Sequence, residues 1–228
     1  MIKKLTKILA VGSMAFLFSQ TAFVQAADMK ERIQSAIQIL DQKQDSADPI
    51  PASLYAHAKG VAIFTVTKAG LGIGGLGGEG IVVARLGDMK LRSWTAPSAF
   101  NVSGASIGAQ IGFTEARYIV ILNTDHAVRQ FTSHGKTRLN ATASGTAGSD
   151  TATAKASTAD LEKTEIVVYK DSAGVFGGAT LGGTSIERKN SINRAAYGND
   201  VRIKDILNGT IKSPASTDRL YLLLDGKA

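Results

Sequence analysis

The residues from Gly72 to Gly77, GIGGLG, have the glycine spacing of a dinucleotide-binding loop. In that loop a helix must follow the glycines, because the helix N-terminus holds the pyrophosphate. Here the following residues, Glu79–Leu86, are rich in β-branched and apolar side chains and predict a strand. The glycine run therefore does not favour dinucleotide binding.

The side chains most often used in catalysis and metal binding are sparse. His57, His126 and His134 are the three histidines; none has a second ligand at metal-binding spacing, and the chain has no cysteine. Asp125 and His126 could act with a serine as a hydrolytic triad, but no G-x-S-x-G nucleophile elbow is present, because the one stretch with that spacing, GASIG at 104–108, lies inside a predicted strand and not at a strand-to-helix turn. The sequence thus predicts a protein that is not an enzyme and needs no metal or cofactor, with an unrecognised hydrolase as the alternative.

Basic side chains occur in pairs on short predicted strands. Lys90 and Arg92 share one strand face, as do Lys136 and Arg138, because side chains alternate along a strand. With two lysines that flank the first strand, they could line a surface for acidic lipids, at about 1 kcal/mol per charge near a membrane. The alternative is that they are solvated strand edges, where lysine also prevents edge-to-edge pairing. The candidate lipid-binding residues are Lys59, Lys68, Lys90, Arg92, Lys136 and Arg138.

The N-terminal residues have the pattern of a secretory signal peptide. Met1–Lys7 carries three lysines and no acid, Ile8–Val24 is mostly apolar, and Val24 and Ala26 place small residues before a cleavage site. An uncleaved membrane anchor is the alternative, but polar residues interrupt the apolar run, which is shorter than the ~20 residues of a spanning helix. We therefore expect cleavage near Ala26 and a periplasmic or secreted protein.

Removal of this leader changes the charge of the protein. Lys3, Lys4 and Lys7 leave with it, so the formal net charge falls from +7 to +4. A net positive charge this small does not favour nucleic acid as a partner, because nucleic-acid binding requires clustered lysine and arginine. Without cysteine the exported chain has no disulfide bond, so its stability must come from its core and hydrogen bonds.

Hydrophobic periodicity predicts helices at both ends of the chain and strands between them. Asp28–Gln44 repeats apolar residues at helical spacing, and residues 54–59 favour a short helical turn. The segment 140–160 is low in complexity and predicts a mobile loop or a weak hairpin. The predicted strands are Val61–Thr67, a glycine-rich partner that follows it, Ile81–Leu86, Leu91–Thr95, Val102–Phe113, Ala116–Asn123, Glu165–Tyr169 and Gly174–Ile186. The other predicted helices are Thr124–Ser133, Asn190–Tyr197, Val201–Leu207 and Ser216–Leu224.

Three glycine-spaced segments interrupt this β-rich region: Gly70–Gly80, Gly104–Gly112 and Gly174–Gly183. Glycine weakens a strand, so its presence calls for a bulge, a tight bend or the close approach of another backbone. The sequence therefore predicts an α+β protein built on a glycine-rich, strongly curved antiparallel sheet, sandwich- or barrel-like, with an N-terminal helix and C-terminal helices. The predicted division is a signal peptide over 1–26, a helix and linker over 27–49, and one domain over 50–228.

Short sequence elements, in their order and spacing, resemble the SYLF domain family over about Ile50 to Leu224. One departure is that residues 145–150 read GTAGSD, without the proline and arginine of the Gly-Pro-x-Gly-Arg-like element usual in bacterial relatives. The elements that carry the resemblance are Ala58–Phe64, Lys68–Gly70, Trp94–Ser98, Gly108–Gly112, Ile119–Thr124, Ala127–Val128, Gly174–Gly178, Tyr197–Gly198 and Ile206–Leu207.

The resemblance implies a non-enzymatic module that engages phosphoinositides or other acidic lipids, and that binds actin in eukaryotic members. For an exported bacterial protein, the acidic partners it implies are phosphatidylglycerol, cardiolipin, phosphatidic acid or lipid A. A structural or protein-interaction module of the cell envelope, without lipid binding, is the alternative, since the departure at 145–150 removes an arginine that could contact an anion.

Overall fold

A computed structural model describes residues 28–87, 93–132, 144–146, 158–172, 175–178 and 184–227. The predicted leader, most of the segment 140–160 and four of the six candidate lipid-binding residues lie outside these ranges. The helices are α1 (28–44), α2 (Ala52–His57), α3 (Asp125–Thr132), α4 (Thr158–Lys163), α5 (Asn190–Tyr197), α6 (Ile203–Leu207) and α7 (Asp218–Leu224), with a 3₁₀ turn at Ala215–Thr217. The strands are β1 (Gly60–Leu86), β2 (Ser93–Trp94), β3 (Ser98–Leu122), β4 (Ser144–Thr146), β5 (Ile166–Ser172), β6 (Val175–Gly178) and β7 (Thr184–Arg188).

One sheet of seven strands forms the centre of the molecule, in the order β2-β1-β3-β5-β4, with β6 beside β5 and β7 beside β3. All pairs are antiparallel except β4, which runs parallel to β5. The predicted α+β class, N-terminal helix and C-terminal helices are confirmed. The sheet curves over itself and does not close.

The pair β1 and β3 is longer than the sequence predicted. We expected three strands in the region of β1, the middle one glycine-rich, and two in the region of β3. Instead β1 has 27 residues and β3 has 25, and they pair from Gly60 opposite Leu122 to Val82 opposite Ser98. The pairing register shifts once, between Leu71 and Ile73. The glycine-rich segments continue both strands because ladder hydrogen bonds join backbone groups and need no side chain.

Strand β1 bends back until its second half lies against its first. The backbone N–H of Arg85, near the end of β1, donates over 2.8 Å to the carbonyl of Lys59, the residue that directly precedes β1. A methyl group added at Gly80 would lie 1.9 Å from the carbonyl oxygen of Ile63, so the crossing backbones leave no room for a side chain. The sequence left a bulge, a tight bend or a close backbone approach as reasons for glycine in a strand. At this crossing the reason is the close approach of another backbone.

The two faces of the folded sheet bury separate hydrophobic clusters, as the two-residue alternation of a strand requires. On the outward face, odd-numbered residues such as Ile63 and Ile119 pack under α1, α2 and α7. On the inward face, even-numbered residues such as Phe64 and Phe100 pack between the halves of the sheet and against α3 and α6. Within the described ranges, no helix combines the length and apolar character needed to cross a bilayer.

Helix α1 packs on the outward face as its apolar spacing predicts, with Met29, Ile33 and Leu40 buried. Its Arg32 is only 4% exposed and reaches the glycine crossing. The guanidinium donates to the carbonyl oxygen of Phe100 over 2.6 Å and lies 2.8 Å from the carboxylate of Glu79. Burial lowers the pKa of Arg32, and the nearby carboxylates oppose that shift.

The segment Trp94–Ser98, part of the SYLF-like pattern, is held by the C-terminal helices. The indole N–H of Trp94 donates to Asp225 over 3.0 Å, and the hydroxyl of Tyr197 donates to the carbonyl of Pro97 over 2.7 Å. The buried amide of Asn193 donates to the hydroxyl of Ser98 and accepts from the backbone N–H of Ala99. These residues are therefore structural, because their polar groups are used within the fold.

The predicted low-complexity segment contains more structure than expected where it is described. Residues 144–146 form β4, and Thr158–Lys163 forms α4, whose Leu161 is buried. The strand β4 pairs with β5 through its backbone, which the composition of the segment cannot indicate.

Candidate functional site

The two candidate basic residues that the structure describes, Lys59 and Lys68, lie far apart. Lys59 is exposed before β1 and Lys68 is half-buried within β1. They stand nine positions apart on an extended strand, which is roughly 30 Å at 3.3 Å per residue. Lys90, Arg92, Lys136 and Arg138 fall outside the described residues, so the proposed strand-face pairs stay predictions.

A different group of basic residues surrounds a cleft of about 420 Å³. It opens where the end of α3, the end of β7, helix α5 and the start of α6 meet. Its lining residues are Thr132, Arg188, Asn190, Arg194, Val201, Arg202, Ile203 and Lys204. We call this the basic cleft.

Hydrophobic packing behind the basic cleft fixes the elements that form it. Phe131 of α3 meets Phe100 of β3 edge to face, with ring centroids 5.4 Å apart. Ile203 of α6 is buried in the same inward cluster. Because Ile203 is anchored inward, its neighbours Arg202 and Lys204 turn to the exposed side.

The basic cleft carries a net positive charge. Arg202 makes two hydrogen bonds to the carboxylate of Asp205, of 2.6 and 2.9 Å, which raise the pKa of Arg202 and lower the pKa of Asp205. Among the described residues, Arg188, Arg194 and Lys204 have no ion pair. The charge of Lys204 also lowers the pKa of Asp205, so Arg202 and Lys204 share one carboxylate, and Arg188 and Arg194 are available to an anion.

This arrangement suits binding rather than covalent chemistry. Guanidinium groups recognise phosphate and carboxylate oxygens with paired N–H donors, and a concave surface of one sign concentrates oppositely charged ligands. The polar side chains of Thr132 and Asn190 add hydrogen-bonding capacity at the rim.

Sequence reasoning missed the basic cleft because its residues belong to different elements. Arg188 is the last residue of β7, Arg194 lies on α5, and Lys204 lies on α6. The signal that could have found them is the density of basic residues between 188 and 204, interleaved with the apolar residues that anchor α5 and α6.

Comparison with known proteins supports the resemblance to the SYLF domain family. The family model described as "Ysc84: Las17-binding protein actin regulator" matches residues 103–227. This range contains every residue that lines the basic cleft.

Curated relatives match over most of this chain. Protein YSC84 of Saccharomyces cerevisiae is 37% identical over 183 residues, which are 78% of this chain and 38% of that protein. SH3 domain-containing YSC84-like protein 1 of Homo sapiens is 38% identical over 176 residues, 77% of this chain and 51% of that protein. SH3 domain-containing protein PJ696.02 of Schizosaccharomyces pombe is 35% identical over 188 residues, 82% of this chain and 43% of that protein.

The chain thus spans about two-fifths to one-half of the length of these relatives. The family match covers more than half of the chain, and the SYLF-like elements from Gly108 to Leu207 lie within the matched range. On this evidence the chain belongs to the Ysc84 family, the family of the SYLF domain.

Proposed function

We propose that this protein is a non-catalytic module that binds acidic lipids at a membrane surface, in the periplasm or outside the cell. The observation that carries the proposal is the basic cleft, in which four cations, two of them sharing the carboxylate of Asp205, surround a volume of about 420 Å³. A phosphate-bearing headgroup would meet guanidinium donors there, and each lipid-facing charge contributes about 1 kcal/mol near an acidic membrane. The predicted leader is the basis of the proposed location.

The second candidate function is an interaction with a protein of the cell envelope. It is favoured by the family description, which names a Las17-binding protein and actin regulator, and so a protein partner for relatives of this chain. Because the chain spans at most about half of these relatives, their activities as whole proteins are not carried over to it.

Flotation of the processed protein with vesicles tests the lipid proposal. Vesicles of phosphatidylcholine alone are compared with vesicles that also contain phosphatidylglycerol or cardiolipin, at low and at physiological salt. We expect flotation only with acidic lipid, and less of it at higher salt, since salt screens exposed charges.

The double substitution Arg188→Glu with Arg194→Glu tests the basic cleft itself. We expect at least a tenfold loss of vesicle affinity, since two favourable charges become unfavourable. The matched control is Lys30→Glu with Lys163→Glu, which changes the net charge equally at exposed positions on α1 and α4. Equal loss in both double variants, or no flotation of the unaltered protein, would overturn the proposal. In the latter case, recovery of one stoichiometric partner after crosslinking in intact envelopes would support the protein interaction.

A further inference from the structure

One cation of the basic cleft is held by a carboxylate that does not line the cleft. Arg202 is a lining residue, whereas Asp205, three positions later on α6, is not. The Nε and Nη2 groups of Arg202 donate to the two carboxylate oxygens of Asp205 over 2.6 and 2.9 Å. One edge of the guanidinium is therefore occupied by the protein itself.

The pair between Arg202 and Asp205 lies at the surface. The side chain of Arg202 is 64% exposed and that of Asp205 is 18% exposed. Exposed ion pairs contribute little to stability, because water solvates both partners when they separate. The guanidinium of Arg202 can therefore leave Asp205 for another anion at little cost to the fold.

The backbone under this pair is fixed, so only a side chain needs to move. Ile203, Ile206 and Leu207 of α6 are buried, and Ile203 and Leu207 belong to the inward cluster. The carbonyl of Asp205 also accepts from the backbone N–H of Ile211 over 3.2 Å. Rotation of the Arg202 side chain therefore requires no movement of α6.

An anion in the cleft would compete with Asp205 for the guanidinium of Arg202. Phosphate and carboxylate oxygens both accept paired N–H bonds from arginine. Arg188 and Arg194 line the same cleft and would hold the anion beside Arg202. Asp205 would keep a countercharge, because the pKa of this carboxyl is lowered first by its hydrogen bond from Arg202 and also by the charge of Lys204.

We propose that Asp205 regulates the basic cleft as an internal competitor for its ligand. In the free protein Arg202 is paired with Asp205, and when the cleft is occupied Arg202 turns to the acidic group of the ligand. The affinity of the cleft is thereby reduced by the cost of breaking the pair. This inference rests on the proposed function, because it assigns a regulatory residue to the same site.

Vesicle flotation of the processed protein tests the competition in a double-substitution cycle. The four proteins are the unaltered protein, Asp205→Asn, Arg202→Gln and the double variant, with vesicles that contain phosphatidylglycerol. We expect Asp205→Asn to raise the vesicle affinity about fivefold. In the Arg202→Gln background the same substitution should raise it less than about twofold, whereas a carboxylate that acts only through net charge would have equal effects in both backgrounds.

The matched control for charge is Asp45→Asn. Asp45 is exposed after the end of α1, so this substitution changes the net charge equally at a distance from the cleft. We expect it to leave the vesicle affinity almost unchanged. Thermal unfolding without ligand shows whether each variant is folded.

The Nε–H signal of Arg202 in NMR spectra gives a second readout that needs no membrane. On addition of inorganic phosphate to the unaltered protein, we expect a saturable shift of this signal as Arg202 leaves Asp205. In Asp205→Asn the same titration should saturate at a severalfold lower phosphate concentration, because the competitor has been removed.

The outcomes separate the competition from the proposed function. If the protein does not float but phosphate shifts the Arg202 signal, and more readily in Asp205→Asn, the competition holds and the lipid proposal fails. If the protein floats, but Asp205→Asn acts equally in both Arg202 backgrounds or no more strongly than Asp45→Asn, the lipid proposal holds and the competition is overturned. Absence of both flotation and a phosphate response of Arg202 overturns both.

Discussion

Two pairs of glycines in the same run of β1 have opposite surroundings. Methyl groups added at Gly78 and Gly80 would lie 2.4 Å from the carbonyl oxygen of Thr65 and 1.9 Å from that of Ile63. Methyl groups added at Gly75 and Gly77 would meet no atom within 4 Å. One residue type, within six positions, is thus required by packing in one place and not in the other.

This difference in surroundings shows which glycines of β1 the fold requires. At Gly78 and Gly80 the two halves of β1 cross, and the approach of their backbones brings the inward residues of both halves into one cluster. At Gly75 and Gly77 the strand stays paired with β3, but a side chain added at either glycine would extend into open space and meet no obstacle. A glycine-rich strand is therefore not uniformly sensitive to substitution.

The largest effect that would test this comparison is expected from Gly80→Ala. The obstructing atom is a backbone carbonyl oxygen, which cannot rotate away, so the crossing must open. We expect the free energy of unfolding to fall by about 3 kcal/mol or more, at the upper end of the range for overpacked sites. Denaturant unfolding measures it, with Gly75→Ala as the matched control. Equal stability of these two variants would contradict the crossing as described.

An intermediate effect is expected from Arg32→Gln, which removes the charged contact that α1 makes with the crossing. The lost hydrogen bond to the carbonyl of Phe100 and the lost ion pair with Glu79 should lower the free energy of unfolding by roughly 2 kcal/mol. The matched control is Arg219→Gln, whose exposed pair with Asp41 should contribute under about 1 kcal/mol. A loss at Arg32 no greater than that at Arg219 would show that α1 does not stabilise the crossing.

The smallest effect is expected at the open glycines. Gly75→Ala and Gly77→Ala should leave the free energy of unfolding unchanged or raise it by up to about 1 kcal/mol, because alanine restricts the unfolded chain and meets no obstacle in the fold. The same denaturant titration measures both. A loss above about 2 kcal/mol at either position would mean that these glycines serve a contact after all.

Much of the fold was predictable because its signals are local. The apolar spacing of Met29, Ile33 and Leu40 predicted α1 and its buried side, and it is confirmed. The β-rich run Val61–Thr67 predicted a strand, and the structure adds that both of its faces are buried. The division of β1 into separate strands was wrong, because runs of glycine indicate turns in a sequence, while the backbone pairing with β3 continues through them.

The sites were less predictable than the fold. Lys59 and Lys68 were among the candidates named from the sequence, but neither of them lines the basic cleft. The basic cleft was missed because Arg188 and Lys204 come from elements that are brought together by the pairing of β7 with β3 and by the packing of Ile203 in the inward cluster.

The sequence by itself determined the type of each element and which residues along it are apolar, because period and propensity act between near neighbours in the chain. It also showed that the glycines needed a structural reason. Only the tertiary structure decided that Gly80 is obstructed while Gly75 is open, and which basic residues face a common cleft. Those outcomes depend on how β1 folds over itself, which is a contact between residues far apart in sequence and is therefore invisible to any local pattern.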